Sequence, residues 1–163
     1  MVDKLIEQHG RRLYGLCRTL CANPVDADDL YQETWLKVIR KMDLYNSSYE
    51  FEGWLTRICV NIYRDNWRRK RIGLFFDGFA TQEIKDAVME NVAATDKPDD
   101  HEPQDAVNQL PEKLRITVLL YYFRDMDINQ TAHALGIPPG TVKSRLNTAK
   151  KMLKEMLKNE IEL

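Results

Sequence analysis

Residues 54–71 read WLTRICVNIYRDNWRRKR, and the pattern in this stretch sets the fold class of the chain. At about 100° per residue the stretch winds into a helix with two distinct faces. One face is apolar and suits a core, and the other carries a cation or an amide at every third or fourth position. The apolar face consists of Leu55, Ile58, Cys59 and Ile62, the polar face of Arg57, Asn61, Arg64, Arg68 and Arg71, with Val60, Tyr63 and Trp67 between them.

A basic stripe bordered by aromatic rings suits single-stranded nucleic acid, because phosphates attract cations and unstacked bases pack on flat rings. The pattern also fits a purely structural role, in which the basic end complements the helix dipole and the rings cover the core. This stretch is compatible with both interpretations, and residues elsewhere in the chain separate them.

The charge of the chain is unevenly distributed along its 163 residues, although the formal net charge is only -1. The net charge is +3 over residues 1–72, -6 over 73–104 and +2 over 105–163. Two basic ends therefore flank an acidic middle that contains Pro98 and Pro103, which is typical of a solvated linker between two small domains. Since no apolar run is long enough for a membrane span and no signal peptide precedes the first helix, we expect a cytoplasmic protein.

The three cysteines are Cys17, Cys21 and Cys59, an odd number that suits a reducing compartment better than a disulfide framework. Cys17 and Cys21 are one helical turn apart, so a zinc or redox site with His9 or Cys59 is conceivable. Burial as small apolar side chains is the main alternative, and we predict no metal and no cofactor.

Helical periodicity covers most of the chain outside residues 43–53 and 73–104, so we predict an all-α fold. The first helix should span about residues 2–21, and a second should begin after Pro24. The second helix has an inward face, and its outer face places Leu36 among charged residues. The predicted inward residues are Ala27, Leu30, Tyr31, Thr34, Trp35, Val38 and Met42, and the outer ones are Asp29, Glu33, Leu36 and Arg40.

The C-terminal part predicts a helix-turn-helix. A helix after Pro111 should bury Leu114, Val118, Leu119, Tyr122 and Phe123. A short helix follows from the Asp127 cap to Gly136, and a longer one covers about residues 141–157. Ala132 permits close approach of the two helices and Val142 fixes the second on the first, which leaves a polar outer surface suited to the DNA major groove. That surface consists of Thr141, Lys143, Ser144, Arg145, Asn147, Thr148, Lys150 and Lys151.

Three runs of sequence together resemble an extracytoplasmic-function sigma factor, the smallest type of bacterial sigma-70-like initiation factor. They are DADDLYQETW at 26–35, WLTRICVN at 54–61 after Tyr45, and LPEKLRITVLLYY at 110–122 followed by INQTAHALGIPPGTVKSRL at 128–146. The resemblance covers about residues 5–72 and 105–157 in the family's order. It implies that residues 1–72 bind core RNA polymerase and the -10 element, and that residues 105–163 bind the -35 element.

The resemblance also implies roles for individual residues. The polymerase-binding positions are Asp29, Gln32, Glu33 and Leu36. Tyr45 and Asn61 match the pocket for a base flipped out of the -10 strand, and Trp54, Arg57, Arg64, Trp67, Arg68 and Arg71 match strand separation and phosphate contacts. Thr141, Lys143, Ser144, Arg145, Asn147 and Thr148 match the surface that meets the -35 element.

Departures from the family pattern concern the helix-turn-helix. Thr131 stands where relatives often have an apolar residue, and Pro138-Pro139 replaces a serine that would cap the second helix. Asn147-Thr148 replaces a pair that includes arginine in some relatives, so we expect -35 recognition to rely more on shape and phosphate contacts.

We expect a non-enzymatic specificity subunit with no small-molecule substrate and no membrane insertion, held by an anti-sigma factor that is often membrane-anchored. An autonomous helix-turn-helix regulator is one alternative, although it leaves the basic stripe at 54–71 without a role. A metal or redox sensor based on Cys17, Cys21 and Cys59 is another.

Overall fold

The structure is a computed structural model and describes residues 2–48, 50–76 and 106–161. Every regular element within these ranges is helical, so the all-α prediction is confirmed. The chain divides into two compact units, Met1–Thr95 and Asp96–Leu163. Most of the linker predicted at 73–104 lies outside the described residues.

The N-terminal unit contains three long helices: α1 Val2–Leu20, α2 Pro24–Lys41 and α3 Phe51–Phe76, with a short 3-10 turn at Met42–Leu44. Helix α2 begins at Pro24, one residue earlier than expected, because Asn23 caps it: the backbone N–H of Asp26 donates to Asn23 Oδ1 over 2.8 Å. Pro24 occupies the first helical position, where its missing N–H has no consequence.

The core of the N-terminal unit lies between α1, α2 and α3, each of which packs against the other two. Fully burying an aliphatic side chain stabilises a fold by about 1.5–3 kcal/mol, so each helix contributes several such terms. The buried residues are Leu13, Leu16, Cys17 and Leu20 of α1, Ala27, Leu30, Thr34, Trp35 and Val38 of α2, and Leu55, Ile58, Cys59, Val60 and Ile62 of α3.

Two features of α3 differ from the sequence prediction. The helix begins at Phe51, so the loop before it is shorter than the predicted 43–53. At its other end the helix continues to Phe76. Residues outside α3 stabilise its first turn, because the Phe51 ring packs on His9 and Tyr45 as well as on Trp54 of the same helix. Val60 is fully buried although the pattern places it between two faces. Since α3 packs against two other helices, more of its circumference is covered than one apolar face requires.

The C-terminal unit contains α4 Glu112–Val118, a π-type turn at Leu119–Phe123, α5 Ile128–Leu135 and α6 Pro139–Ile161. Helix α6 therefore begins two residues before the predicted start, because Pro139 is itself a good first residue for a helix. The apolar core is formed by Ala106, Val107, Leu110, Ile116, Val118, Leu119, Leu120, Ala132, Ala134, Leu135, Val142, Leu146 and Ala149.

The π-type turn corrects the prediction for Tyr122 and Phe123, which were expected in the core. The backbone N–H of Arg124 donates to the carbonyl of Leu119, five residues back, over 3.1 Å. A π turn holds one residue more than an α turn, so it shifts the side chains that follow around the helix axis. Leu119 and Leu120 are buried as a result, while Tyr122 and Phe123 are 47% and 40% exposed.

Candidate nucleic-acid interfaces

The polar face of α3 is presented to solvent. Arg57, Asn61, Arg68 and Arg71 are exposed, and Arg64 is half-buried. Tyr63 and Trp67 are half-buried beside them, so the rings border the cations as the sequence pattern predicts. This face offers both phosphate-binding groups and flat apolar surfaces.

Several cations near the end of α3 are held in place by neighbouring side chains. The Arg71 guanidinium lies 5.4 Å from the centre of the Trp67 ring, a cation–π arrangement. Lys70 Nζ lies 3.4 Å from Asp26 on α2, and Arg68 lies 4.0 Å from Asp65. These exposed pairs add little stability, but they restrict where the positive charge can be.

Tyr45 belongs to an aromatic cluster at the start of α3. Its ring lies 5.5 Å from that of Phe51, edge to face, and 5.0 Å from that of Trp54. Trp54 and Asn61 are two helical turns apart on the same side of α3, about 10 Å along the axis. Tyr45, Trp54 and Asn61 therefore follow one another along a single surface, with Tyr45 half-buried and Asn61 exposed.

The outer face of α2 carries the residues that match the polymerase-binding block. Asp29, Gln32 and Glu33 are exposed, and Leu36 is 54% exposed among them. Glu33 also contacts α3, since Asn66 Nδ2 donates to Glu33 Oε2 over 3.3 Å. The face that resembles a protein-binding surface is thus connected directly to the basic helix.

Two further apolar residues on this face were not predicted from the sequence. Val25 is 68% exposed and Ile39 is 51% exposed. Both share the helical phase of Leu36, at offsets of three turns before it and one turn after it. The helical spacing of these residues is the sequence signal that could have identified them. Together with Leu36 they form an exposed apolar stripe along α2.

The helix-turn-helix prediction agrees with the geometry of α5 and α6. Asp127 and Gln130 form a reciprocal capping box, with N–H···O distances of 2.7 and 2.9 Å. Gly136 ends α5 in the left-handed conformation, at a φ of 66°. Ala132 and Val142 are buried where the two helices meet.

The predicted DNA-facing residues lie mostly on the outer surface of α6. Lys143, Ser144, Asn147 and Thr148 are exposed, whereas Thr141 and Arg145 are half-buried. The Thr148 hydroxyl donates to the Ser144 carbonyl over 3.0 Å, which directs its oxygen back along the helix.

Thr131 packs in the core of the helix-turn-helix although it is polar. Its side chain is fully buried, and within the described residues its hydroxyl has no hydrogen-bond partner. Thr117 of α4 is equally buried, but its hydroxyl donates to the Lys113 carbonyl over 2.7 Å. An unpaired buried hydroxyl costs stability, so the departure from an apolar residue at this position has a physical consequence.

Two of the three cysteines are core residues, and Cys21 is half-buried. Cys17 and Cys59 are fully buried with their sulfurs 3.8 Å apart. The hydrogen bond with Cys59, and then burial, raise the pKa of the Cys17 thiol, so the thiol is protonated at neutral pH. Across residues 2–48, 50–76 and 106–161, no group of three or more His, Cys, Asp or Glu side chains is placed to hold a metal ion.

Of the helices in the described part of the chain, none is both long enough and apolar enough to cross a membrane.

Comparison with protein families gives two matches in order along the chain. Residues 5–72 match the model described as Sigma-70 region 2, and residues 103–153 match the model described as Sigma-70, region 4. The basic stripe of α3 lies in the first match, and the helix-turn-helix lies in the second.

Among curated proteins, the chain is similar to ECF RNA polymerase sigma factor SigE of Mycolicibacterium smegmatis. The two are 32% identical over 158 residues, which is 95% of this chain and 61% of SigE. It is also 31% identical over 167 residues to RNA polymerase sigma factor CarQ of Myxococcus xanthus, a match covering 99% of this chain and 91% of CarQ.

Among solved structures, the fold is similar to that of the sigma factor RpoE from Bartonella quintana, which was solved in complex with the anti-sigma factor NepR. The TM-score is 0.70 at 22% identity, and the match covers 96% of each chain.

Proposed function

The chain belongs to the extracytoplasmic-function sigma factors of the sigma-70 family, and on that premise we propose that it directs core RNA polymerase to its promoters. In this function it binds the core enzyme, recognises the -35 and -10 elements and promotes strand opening. The observation that carries the proposal is the ordered pair of regions, since a helix-turn-helix alone would fit many DNA-binding regulators.

Sigma factors are transcription initiation factors rather than enzymes, so strand opening must be driven by binding energy. Unpairing and flipping bases costs a few kcal/mol, and stacking a base on an aromatic side chain returns about 1–3 kcal/mol. The protein therefore needs surfaces that favour the open strand over the duplex.

The N-terminal unit supplies those surfaces in our proposal. The outer face of α2, with Asp29, Gln32, Glu33 and Leu36, docks on the core enzyme. Tyr45 and Asn61 receive the flipped base of the -10 strand, and Trp54 takes part in strand separation. The support is that the three residues lie along one surface of two rings and an exposed amide. The cations of α3 then follow the phosphates of the same strand: Arg57, Arg64, Arg68 and Arg71, with Trp67 beside them.

The C-terminal unit binds the -35 element as a duplex. Helix α6 enters the major groove and presents Lys143, Ser144, Asn147 and Thr148, with Thr141 and Arg145 at the margin of the contact. Asparagine can bond an adenine edge at two points, whereas Lys143 gives mainly charge. We expect modest base specificity and a strong dependence on salt.

We propose an anti-sigma factor as the regulatory partner and the cytoplasm as the compartment. The anti-sigma factor is supported by the fold that the chain shares with RpoE, a sigma factor solved in complex with an anti-sigma factor. The compartment is that of the core RNA polymerase to which the chain would bind. A membrane-anchored anti-sigma factor would hold the chain at the membrane without any insertion of its own.

Run-off transcription tests the proposal. The full chain is added to core RNA polymerase with a library of promoter fragments, and we expect transcripts from a subset that shares a -35 and a -10 motif. Transcription that is unchanged by adding the chain would refute the function. An operator bound equally well without polymerase would instead favour the autonomous regulator.

The polymerase-docking face has its own test. The double variant Gln32→Ala, Leu36→Ala should co-purify with the core enzyme at a level reduced by about tenfold or more, since a buried apolar anchor contributes most of such a contact. The double variant Gln109→Ala, Leu157→Ala removes the same side-chain types from exposed positions of the C-terminal unit. Equal co-purification of both variants would remove α2 from this role.

A further inference from the structure

Helix α1 contacts the first turn of α3 at two consecutive residues. The His9 ring lies 5.0 Å from the Phe51 ring. Arg12 Nη1 lies 2.8 Å from each carboxylate oxygen of the next residue, Glu52. His9 and Arg12 are three residues apart, so they are neighbours on one face of α1. Two contacts at different points restrain both the position of this turn and its rotation about the axis of α3.

Phe51 connects these contacts to the pocket proposed for the flipped -10 base. Its ring lies edge to face against Tyr45 at 5.5 Å and lies 5.7 Å from Trp54. Residues 46–48, which follow Tyr45, are exposed, so this part of the loop gives the Tyr45 ring little support. The rings of α3 hold it instead, and the one that also touches α1 is Phe51.

The ion pair between α1 and α3 contributes more to geometry than to stability. The side chains of Arg12 and Glu52 are 72% and 40% exposed, and exposed ion pairs add little to the free energy of unfolding. This pair nevertheless fixes the residue next to Phe51 through two short hydrogen bonds. A surface that captures a base binds it more tightly when its side chains are ordered in advance, because less freedom is lost on binding.

We propose that the contacts of α1 with Phe51 and Glu52 position the Tyr45 ring for the flipped base of the -10 strand. His9, Arg12 and Glu52 are then positioning residues that act through the Phe51 ring. When the first turn of α3 is loosened, the Tyr45 ring gains freedom, and the base has to order it on binding. The inference rests on the proposed capture of a -10 base and extends that site from α3 to α1.

The first test identifies the captured base. Holoenzyme containing the native chain is titrated against a fluorescently labelled single strand that carries the -10 element of a promoter from the run-off library. Abasic sites are introduced one position at a time, and one position should weaken binding more than the others, because the pocket loses its stacked base there. If no position stands out, the proposed base pocket is wrong and this inference fails with it.

The second test asks whether α1 acts through that base. Holoenzymes containing Phe51→Leu or Arg12→Ala should bind the intact strand about three- to tenfold more weakly than the native one, because a side chain must be ordered on binding. They should bind the strand that lacks the captured base as the native holoenzyme does. A merely structural role would weaken binding of both strands equally. Far-ultraviolet circular dichroism checks that each variant is folded.

The matched control for Arg12→Ala is Arg11→Ala. Arg11 is also an exposed arginine of α1, but it lies about 100° away around the helix axis. Arg11→Ala should bind both strands as the native chain does. An equal loss for Arg11→Ala and Arg12→Ala would mean that general positive charge is responsible, and it would overturn the proposal.

Exchanging the charges of the ion pair gives the third test. Arg12→Glu places two carboxylates together and should weaken binding of the intact strand at least as much as Arg12→Ala. Adding Glu52→Arg re-forms the ion pair with its charges reversed and should restore most of the affinity. If the exchange restored nothing, Arg12 would act through its own charge, and its positioning role would be wrong.

Failure of this inference is distinguishable from failure of the proposed function. If the abasic scan finds a captured base while Phe51→Leu and Arg12→Ala bind the intact strand as the native chain does, only the positioning role is wrong. The same conclusion follows if these variants lose equal affinity for the intact and the abasic strand.

Discussion

The cations of α3 and those of α6 are presented in different ways. Toward the end of α3, Arg68 and Lys70 lie beside carboxylates and Arg71 lies over an indole ring. On α6, Lys143 and Lys150 have no ion-pair partner in the part of the chain that the structure describes. One surface is arginine-rich and held by neighbouring side chains, and the other is lysine-rich and free of ion pairs among the described residues.

This difference suits the two forms of DNA that the surfaces are proposed to bind. A single strand is flexible, so a protein that fixes its own cations in advance avoids part of the ordering cost on binding. A duplex backbone is already regular, and lysines, with their flexible side chains, can adjust to it as point charges. The held surface should therefore determine geometry, and the free surface should determine salt-dependent affinity.

The largest effect should come from a core substitution that destabilises the unit carrying one surface and leaves the other unit folded. Leu20→Ala removes a side chain that is 1% exposed in the core of the N-terminal unit, and this should lower the free energy of unfolding by about 2–5 kcal/mol. All three tryptophans, Trp35, Trp54 and Trp67, lie in that unit, so tryptophan fluorescence in urea reports its unfolding. Leu120→Ala, at an equally buried site in the other unit, is the control and should leave the fluorescence transition in place. A shift of equal size for both variants would mean that the two units unfold as one.

The next effect concerns the division of labour between the two surfaces. Asn61→Ala should reduce permanganate reactivity of the -10 strand by about tenfold while leaving duplex binding at -35 unchanged, because only the open strand loses a partner. Asn147→Ala is the matched substitution on α6 and should do the reverse, weakening promoter binding without changing reactivity per bound complex. If both variants lost binding and opening in parallel, the two surfaces would not act separately.

A smaller effect is expected at Thr131, whose buried hydroxyl is unpaired among the described residues. Thr131→Val should raise the free energy of unfolding of the C-terminal unit by about 1 kcal/mol, since it removes an unsatisfied polar group with little change in shape. Far-ultraviolet circular dichroism in urea should register the gain, and tryptophan fluorescence should not. Thr117→Val is the control: it removes a hydroxyl that is hydrogen-bonded to Lys113 and should destabilise. A loss of stability in both variants would show that the Thr131 hydroxyl is paired in solution.

The smallest effect on stability should be at Arg12. Both Nη1 contacts with the Glu52 carboxylate are 2.8 Å and connect α1 to the first turn of α3, but the two side chains are largely exposed. Exposed ion pairs contribute little at physiological salt, so Arg12→Ala should leave the urea midpoint of the fluorescence transition unchanged. A clear shift of the urea midpoint would show that the Arg12–Glu52 ion pair stabilises the N-terminal unit.

The sequence predicts those features of the fold that depend on near neighbours. Asp127 and Gln130 cap α5 through contacts three residues apart, and Gly136 ends it through its own backbone freedom, so both are visible in a short window. The full burial of Val60 depends on a second packing partner and the exposure of Tyr122 on a π-type turn, and residue periodicity encodes neither.

The candidate sites follow the same division. The exposed cations of α3 and α6 repeat at helical spacing and could be predicted. The contact of Tyr45 with Trp54, the hydrogen bond between Asn66 and Glu33, and the contact of His9 with Phe51 could not, because each joins residues that come together only after folding.

The π-type turn at Leu119–Phe123 has a consequence for how the length of the chain can vary. Such a turn contains one residue more than a regular helical turn between the same two ends. Deleting a single residue there would restore an α-helix while leaving α4 and α5 in place. Homologous chains one residue shorter in this turn should therefore keep the helix-turn-helix and lose only the outward-facing tyrosine, which makes the turn a natural site for a one-residue insertion or deletion.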